Sequence, residues 1–256
     1  VSRAGSAGPG DSQIAQTLDR GLAVLELLAA VGGGLTVSEI AAALGIHRTV
    51  AYRLLATLER RSLVQRSTDG RYRPGGGLLR LSAGVGDELR AVAVPHLQSL
   101  HADTDETVHL AVRTGTEILF LESFESTRPL RVASRIGRTM PAHATSVGKA
   151  LLATITDLEV RALYPRGRLE LVGPATCRTV TELLRDLAAV RHRGYARSDQ
   201  ESEHDVGSVG VAVRDPEGRA RAAISIAAPT TRLTGRTVAD LAEAARATAA
   251  AIGSSL

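Results

Sequence analysis

Residues 35–73, LTVSEIAAALGIHRTVAYRLLATLERRSLVQRSTDGRYR, decide how the N-terminal third of the chain folds. Thr36 stands three residues before Glu39, with Leu35 and Ile40 outside them. A capping box and a hydrophobic staple therefore coincide and predict a helix from Val37. Gly45 permits a turn, and a second helix is expected from about His47 to Arg61. At about 100° per residue, Ala51, Leu54, Leu55 and Leu58 share one face of it, and Thr49, Tyr52 and Arg53 the opposite one. After Leu63 and Val64, the turn Ser67–Gly70 lies between Gln65–Arg66 and Arg71–Tyr72–Arg73 and predicts a basic hairpin. Cap, turn, second helix and hairpin in this order read as a winged helix-turn-helix rather than a plain amphipathic helix pair. Its chemistry suits double-stranded DNA. Thr49, Tyr52 and Arg53 offer hydrogen-bonding groups to base edges, while Arg48, Arg66, Arg71 and Arg73 suit phosphates.

Charge is distributed accordingly. Residues 1–80 hold ten arginines against six acids, which accounts for the whole net charge of +4; residues 81–256 are balanced at 21 against 21. The basic excess thus lies beside the helix-turn-helix, where phosphate neutralisation needs it. Lys149 is the only lysine among 31 basic residues, so arginine is favoured throughout and no single arginine is diagnostic. The one cysteine, Cys177, excludes an intrachain disulfide and multi-cysteine metal sites. No apolar run approaches the ~20 residues of a membrane span. The opening residues 1–11 lack the apolar core of a signal peptide and read as a disordered tail, so a cytoplasmic location without membrane contact is expected.

A first helix is expected over about 14–30, capped by Ser12 and carrying Leu18, Leu22, Leu25 and Leu28 as one stripe, shared between the domain core and a dimer seam. The winged domain is placed at residues 12–77, ending at Pro74–Gly77. A linking helix covers 78–92 (Leu78–Arg90), Pro95 opens another helix, and the second domain occupies 93–256. There, Thr107–Arg113 and Glu117–Phe124 flank a Thr-Gly-Thr turn, and Arg131–Ser134, Tyr195–Arg197, Val206–Arg214 and Arg219–Ala227 are further strands. Helices are expected at Ala144–Ile155, after the capping box Thr156/Glu159, over 180–192 after Thr179, and over 236–252. The fold class is α+β, with a mainly antiparallel sheet covered by helices in the second domain.

Seven segments in order, LDRGLAVLELL, LTVSEIAAALGIHRTVAYRLLATLE, GRYRPGG, ETVHLAV, PAHATSVGKALLA, RHRGYA and AAISIAAPTTR, resemble the IclR-type transcriptional regulators over about residues 12–253. The resemblance implies a GAF-like C-terminal effector domain, a homodimer or dimer of dimers on operator DNA, and a small organic acid as effector, with repression as the expected outcome and no cofactor. It also implies that the effector cavity is lined at Ser146, Val147, Ser198, Ser208, Ser225 and Ala227. Free N–H groups at the start of helix 146–153 would add an anion-binding element. Several positions depart from the family's habits. Ser198 and Ser208 stand where acid and cysteine are frequent among binders of small oxo-acids, Asp205 replaces a glycine, and Ala212 a proline. His47, Thr49 and Ser62 differ from the usual proline, serine and glycine, which leaves the operator sequence open.

Two other functions remain to be weighed. Histidines 96, 101, 109, 143, 192 and 204 allow a metal-sensing regulator, with Glu203–His204–Asp205 as the densest group and His109 and His143 as possible neighbours. A GAF-like small-molecule enzyme that keeps a DNA-binding domain is the other. Against enzymes, no zincin spacing occurs, Gly207–Ser208–Val209–Gly210 misses a nucleophile elbow by one position, and Thr145–Lys149 includes a glycine and the lone lysine but lacks the glycine spacing of a P-loop. Lys149 reads as an exposed helix residue or a salt-bridge partner.

Overall fold

The computed structural model describes residues 15–82, 84 and 86–256. The tail expected over 1–11 and the Ser12 cap lie outside the described residues. The chain divides into two compact units between residues 85 and 86.

The first unit contains helices α1 (Gln16–Ala30), α2 (Val37–Ala43) and α3 (Arg48–Arg60), strands β1 (Val64–Arg66) and β2 (Tyr72–Pro74), and helix α4 (Gly77–Ser82). The Thr36 hydroxyl accepts the Glu39 N–H, and the Glu39 carboxylate accepts the Thr36 N–H at 2.7 Å, so α2 starts where the capping box requires. Gly45 takes the left-handed conformation (φ +62°) that the turn into α3 needs. Val24, Leu28, Ile40, Ala51, Leu55, Val64 and Tyr72 form the core. The leucine stripe expected on α1 is corrected. Leu28 is buried and Leu25 packs half-buried against the core as expected, but the rest of the buried line runs through Val24 and Gly21, which leaves Leu18 and Leu22 exposed. β1 and β2 pair antiparallel, and Leu35 bridges to Tyr72 as a third, one-residue strand.

In the second unit, α5 (Asp87–Thr104) leads to β3 (Thr107–Thr114), β4 (Glu117–Phe124) and β5 (Thr139–Pro141). Helices α6 (Ser146–Leu152), α7 (Asp157–Leu163) and α8 (Val180–Arg193) follow, then β6 (Ala196–Asp199), β7 (Val206–Arg214), β8 (Ala220–Pro229) and α9 (Gly235–Gly253). The six strands form one antiparallel sheet in the order β5-β4-β3-β8-β7-β6. Strand alternation sorts the side chains by face. Val108, Leu110, Val209, Val211, Ile224 and Ile226 pack with α5 and α9 residues such as Leu97 and Ala245. Ala111, Ala223, Ile118 and Phe120 pack on the other face with Val147, Leu151, Leu183 and Leu187 of α6 and α8.

Three expectations for this region are corrected. The linking helix over 78–92 is two helices, since α4 ends at Ser82 and α5 begins at Asp87. Pro95 opens no helix; it lies inside α5, where burial of Ala93, Leu97 and Leu100 outweighs the one lost backbone hydrogen bond. Arg131–Ser134 is not a strand. Side chains take its backbone groups instead: the Thr107 hydroxyl donates to the Val132 carbonyl at 2.6 Å, and the Ser134 N–H donates to the Glu125 carboxylate at 2.6 Å. No helix among the described residues is long and apolar enough to cross a membrane.

Candidate functional site

The first candidate site is the outer surface of α3. The His47 ring caps the helix, with Nδ1 accepting the Thr49 N–H at 3.3 Å. Ala51, Leu54 and Leu55 are buried, which turns Thr49, Tyr52 and Arg53 to solvent. Tyr52 is 58% exposed, a large aromatic with no packing duty in the unit. An open concavity of about 570 Å³ lies between the start of α3 and the hairpin and is lined by Arg48, Thr49, Tyr52 and Arg66, with His47, Val37 and Tyr72. Arg66 lies over the Tyr72 ring, 5.8 Å from its centroid, which holds the guanidinium at the rim.

The predicted arginines are not equivalent. Arg71 donates to the Gly34 carbonyl at 3.0 Å and to both Glu39 oxygens at 3.1 and 3.4 Å, so it ties the hairpin to the cap of α2. The Thr36 backbone N–H, its hydroxyl and then Arg71 hold the Glu39 carboxyl below its ordinary range. Arg73 stands 4.0 Å from Asp69, a loose exposed pair. Arg48, Arg53 and Arg66 have no acidic partner among the described residues.

The second candidate site lies on the α6 face of the sheet. Ser198, Ser208 and Ala227 form one cross-strand row; His109 and Ser225 belong to the next row, two residues along and on the same face. Gly210 stands in that second row opposite Ser225, and a Cβ there would collide with the Ser146 backbone. That glycine lets the start of α6 lie directly on β7, which brings the Ser146 and Ser208 hydroxyls to 2.7 Å. The cavity they surround measures about 20 Å³, room for one water. Ser146, Val147, Ser208, Ser225 and Ala227 line it. Ser198 does not; its hydroxyl is buried behind the lining and has no partner among the described residues. The expected row of free N–H groups is also shorter than predicted. α6 spans only seven residues, and the Thr145 hydroxyl already accepts the Gly148 N–H at 3.1 Å.

His109 and Arg135 are the two ionisable side chains among the lining residues that were not foreseen as members of this site. His109 is fully buried, and neither ring nitrogen has a partner among the described residues. Burial, with help from the neighbouring Arg135 charge, pushes its pKa down to about 3, so the ring is neutral. Arg135 reaches in from the segment before β5 and donates to the Glu203 carboxylate at 2.6 Å. The signal for His109 was present in the alternation of residues 107–112, TVHLAV, where a polar side chain falls on a buried face. Arg135 carried none, being one arginine among many.

Lys149 is corrected from an exposed helix residue to a buried one, while its role as a salt-bridge partner holds. Its ammonium donates to Asp186 of α8 at 2.6 Å and to Glu201 at 2.7 Å. Burial raises the Glu201 pKa even against the pull of Lys149. Burial likewise pushes the Cys177 thiol up to about 11, which leaves it protonated and unreactive. The histidines do not converge. His204 pairs with Asp205 in solvent, Glu203 turns to Arg135, His143 bonds the Glu170 carbonyl, and no metal-holding group of three acid, histidine or cysteine side chains forms among the described residues.

Residues 17–68 match the IclR helix-turn-helix domain, and residues 84–254 match the C-terminal domain of the bacterial transcriptional regulator IclR. The chain is 32% identical over 257 residues to the HTH-type transcriptional repressor AllR of Escherichia coli K12, covering 99% of this chain and 95% of that protein. It is 32% identical over 223 residues to the HTH-type transcriptional regulator XynR of the same strain, covering 86% and 88%. Among solved structures, an IclR homologue from Microbacterium hydrocarbonoxydans complexed with 4-hydroxybenzoate is similar at TM-score 0.82 and 28% identity, over 94% of this chain and 98% of that one. Thermotoga maritima IclR is similar at TM-score 0.78 and 28% identity, over 93% and 97%.

Proposed function

The chain belongs to the IclR family of bacterial transcriptional regulators, and on that premise we propose how it meets its two partners. The DNA-binding domain, residues 12–77, lays α3 in the major groove of double-stranded operator DNA. Thr49, Tyr52 and Arg53 read base edges there, and Arg48, Arg66 and Arg73 hold phosphates. Arg71 takes a different role from the one its position suggested: spent on Glu39 and Gly34, it positions the wing. The observation that carries this reading is the exposed polar face of α3 beside a concavity lined by Arg48 and Arg66.

The effector domain, residues 93–256, is joined through 78–92 and receives a small organic acid in the cavity walled by Ser146, Val147, Ser208, Ser225 and Ala227; Ser198 backs Ser208 from the neighbouring strand. The 4-hydroxybenzoate bound by the Microbacterium homologue supports an acid, and the designation of AllR as a repressor supports repression. The protein acts by binding, not by turnover, in the cytoplasm. It works as a homodimer or dimer of dimers, with Leu18 and Leu22 of α1 as apolar surface for a second copy. Two-fold symmetry of the protein then imposes a partly palindromic operator.

DNase footprinting on the DNA upstream of its own gene, repeated with a panel of organic acids, tests this reading. Protection of a partly palindromic site that one acid abolishes or strengthens is expected. Uniform, sequence-independent protection would contradict it.

A further inference from the structure

The cavity on the sheet is polar but carries a single fixed charge. Of the residues that line it, only Arg135 is ionised; His109 is neutral, and the rest are serines, Thr145 and apolar groups. The Arg135 side chain is only 12% exposed, and its counter-ion comes from outside the wall. Glu203, 58% exposed, reaches over from the loop 200–205 between β6 and β7.

That loop is pinned on both sides of Glu203. On one side the Glu201 carboxylate binds Lys149, and its carbonyl accepts the Gly173 N–H and the Thr176 hydroxyl. On the other, the Asp205 carbonyl accepts the Thr230 N–H at 2.9 Å. Gln200 and Asp205 both adopt left-handed backbone conformations (φ +57° and +59°), which turn the chain sharply at the two ends. Between these anchors Ser202 lines the cavity and Glu203 lies across Arg135. With Glu203 in place, Arg135 is satisfied and the space left holds about one water. His109, meanwhile, lines the same cavity, and neither of its ring nitrogens makes a hydrogen bond among the described residues.

We propose that Arg135 receives the carboxylate of the effector, and that Glu203 is its built-in placeholder, displaced when the acid enters. This deepens the organic-acid reading above and rests on it. The exchange conserves charge: one carboxylate leaves the guanidinium as another arrives. The site therefore selects anions over uncharged molecules of the same shape, because only an anion compensates the Arg135 charge that Glu203 vacates. His109 and the serines are left to bond the remainder of the acid.

Calorimetric titration of the full chain with benzoate, 4-hydroxybenzoate and pyruvate, each beside its neutral amide, tests the exchange. Glu203→Gln changes an exposed residue and keeps an oxygen acceptor for Arg135, so the protein should fold normally. It should bind at least one of the acids about tenfold more tightly than wild type, with no gain for the amide. Arg135→Gln should weaken that acid about tenfold or more, and Arg135→Lys should retain part of the affinity. Equal affinity of wild type and Glu203→Gln for an acid that binds both would overturn the placeholder. Undiminished binding by Arg135→Gln would overturn the receiver. Either result leaves the acid site standing provided Ser208→Asp abolishes binding. Acid binding that is insensitive to Ser208→Asp, or no binding of any of the three acids to wild type and Glu203→Gln, overturns the organic-acid reading and this inference together.

Discussion

Arg71, just before the second strand of the hairpin, donates three hydrogen bonds to Gly34 and Glu39, whereas Arg66, at the end of the first strand, has no acidic partner among the described residues. The two should therefore separate in the salt dependence of DNA binding. Arg66→Ala should flatten the slope by about 0.9, the value for one lost phosphate contact, while Arg71→Ala should change it by clearly less and lower the melting temperature of the protein. Equal slope changes measured by fluorescence anisotropy would return Arg71 to the phosphate. His109 gives a second prediction at this scale. Its folded pKa of about 3 lies below the ordinary 6.5, so between those values the unfolded chain binds a proton that the folded protein does not. Stability falls as pH drops through that window, by about 1.4 kcal/mol per pH unit for one proton. Denaturant unfolding between pH 6.5 and 4.5, above most carboxylate titration, should show a shallower loss for His109→Gln; identical pH slopes would contradict the burial of a neutral ring. Ser146, Ser208 and Ser225 were placed in the cavity by the resemblance to the family, and strand pairing accounts for Ser208 and Ser225 sharing one face of the sheet. Arg135 was not, since it enters from a segment that has no ladder and no period.

Helix starts were legible at the scale of elements wherever the stabilising group lies within four residues. Both capping boxes, Thr36/Glu39 and Thr156/Glu159, form as read, as does the Thr179 cap of α8. Elements governed by distant partners were misread. The α1 stripe depends on which of its residues meet the core, Pro95 is tolerated because of what α5 packs against, and residues 131–134 are held by the side chains of Thr107 and Glu125. Lys149 belongs to the same class. No local pattern says that a lysine on a short helix is buried, yet it joins α6 to Asp186 on α8 and to the Glu201 end of the loop over the cavity. Lys149→Met would leave the largely buried Glu201 without its cation and Asp186 with only the more distant Arg193 at 3.7 Å, at a cost of about 3 kcal/mol in unfolding free energy at neutral pH. Adding Glu201→Gln to that variant should recover part of the loss, because one uncompensated charge is removed. A Lys149→Met protein as stable as wild type would mean that these charges are solvated and that the ion pairs hold nothing together.

For the whole molecule, the division of charge mirrors the division of labour. All of the +4 excess lies in residues 1–80, which steers that unit towards a polyanion, and the balanced remainder has no such field. The two functions thus reside in separately cored units, each with its own hydrophobic cluster, and the chemistry of each is set locally. In sedimentation equilibrium the protein should be a dimer or larger, and paired charges such as Leu18→Glu with Leu22→Glu should shift it towards monomer and weaken operator binding; a wild-type monomer that protects a palindrome would contradict the proposed symmetry. The central claim is that α3 reads sequence through its outward face. Its most direct test is fluorescence anisotropy of Arg53→Ala, at one fixed salt concentration, on the footprinted operator and on a random duplex of equal length. Loss of about 1–3 kcal/mol on the operator with little change on the random duplex is expected. An equal loss on both duplexes, or an unchanged operator affinity, would contradict it.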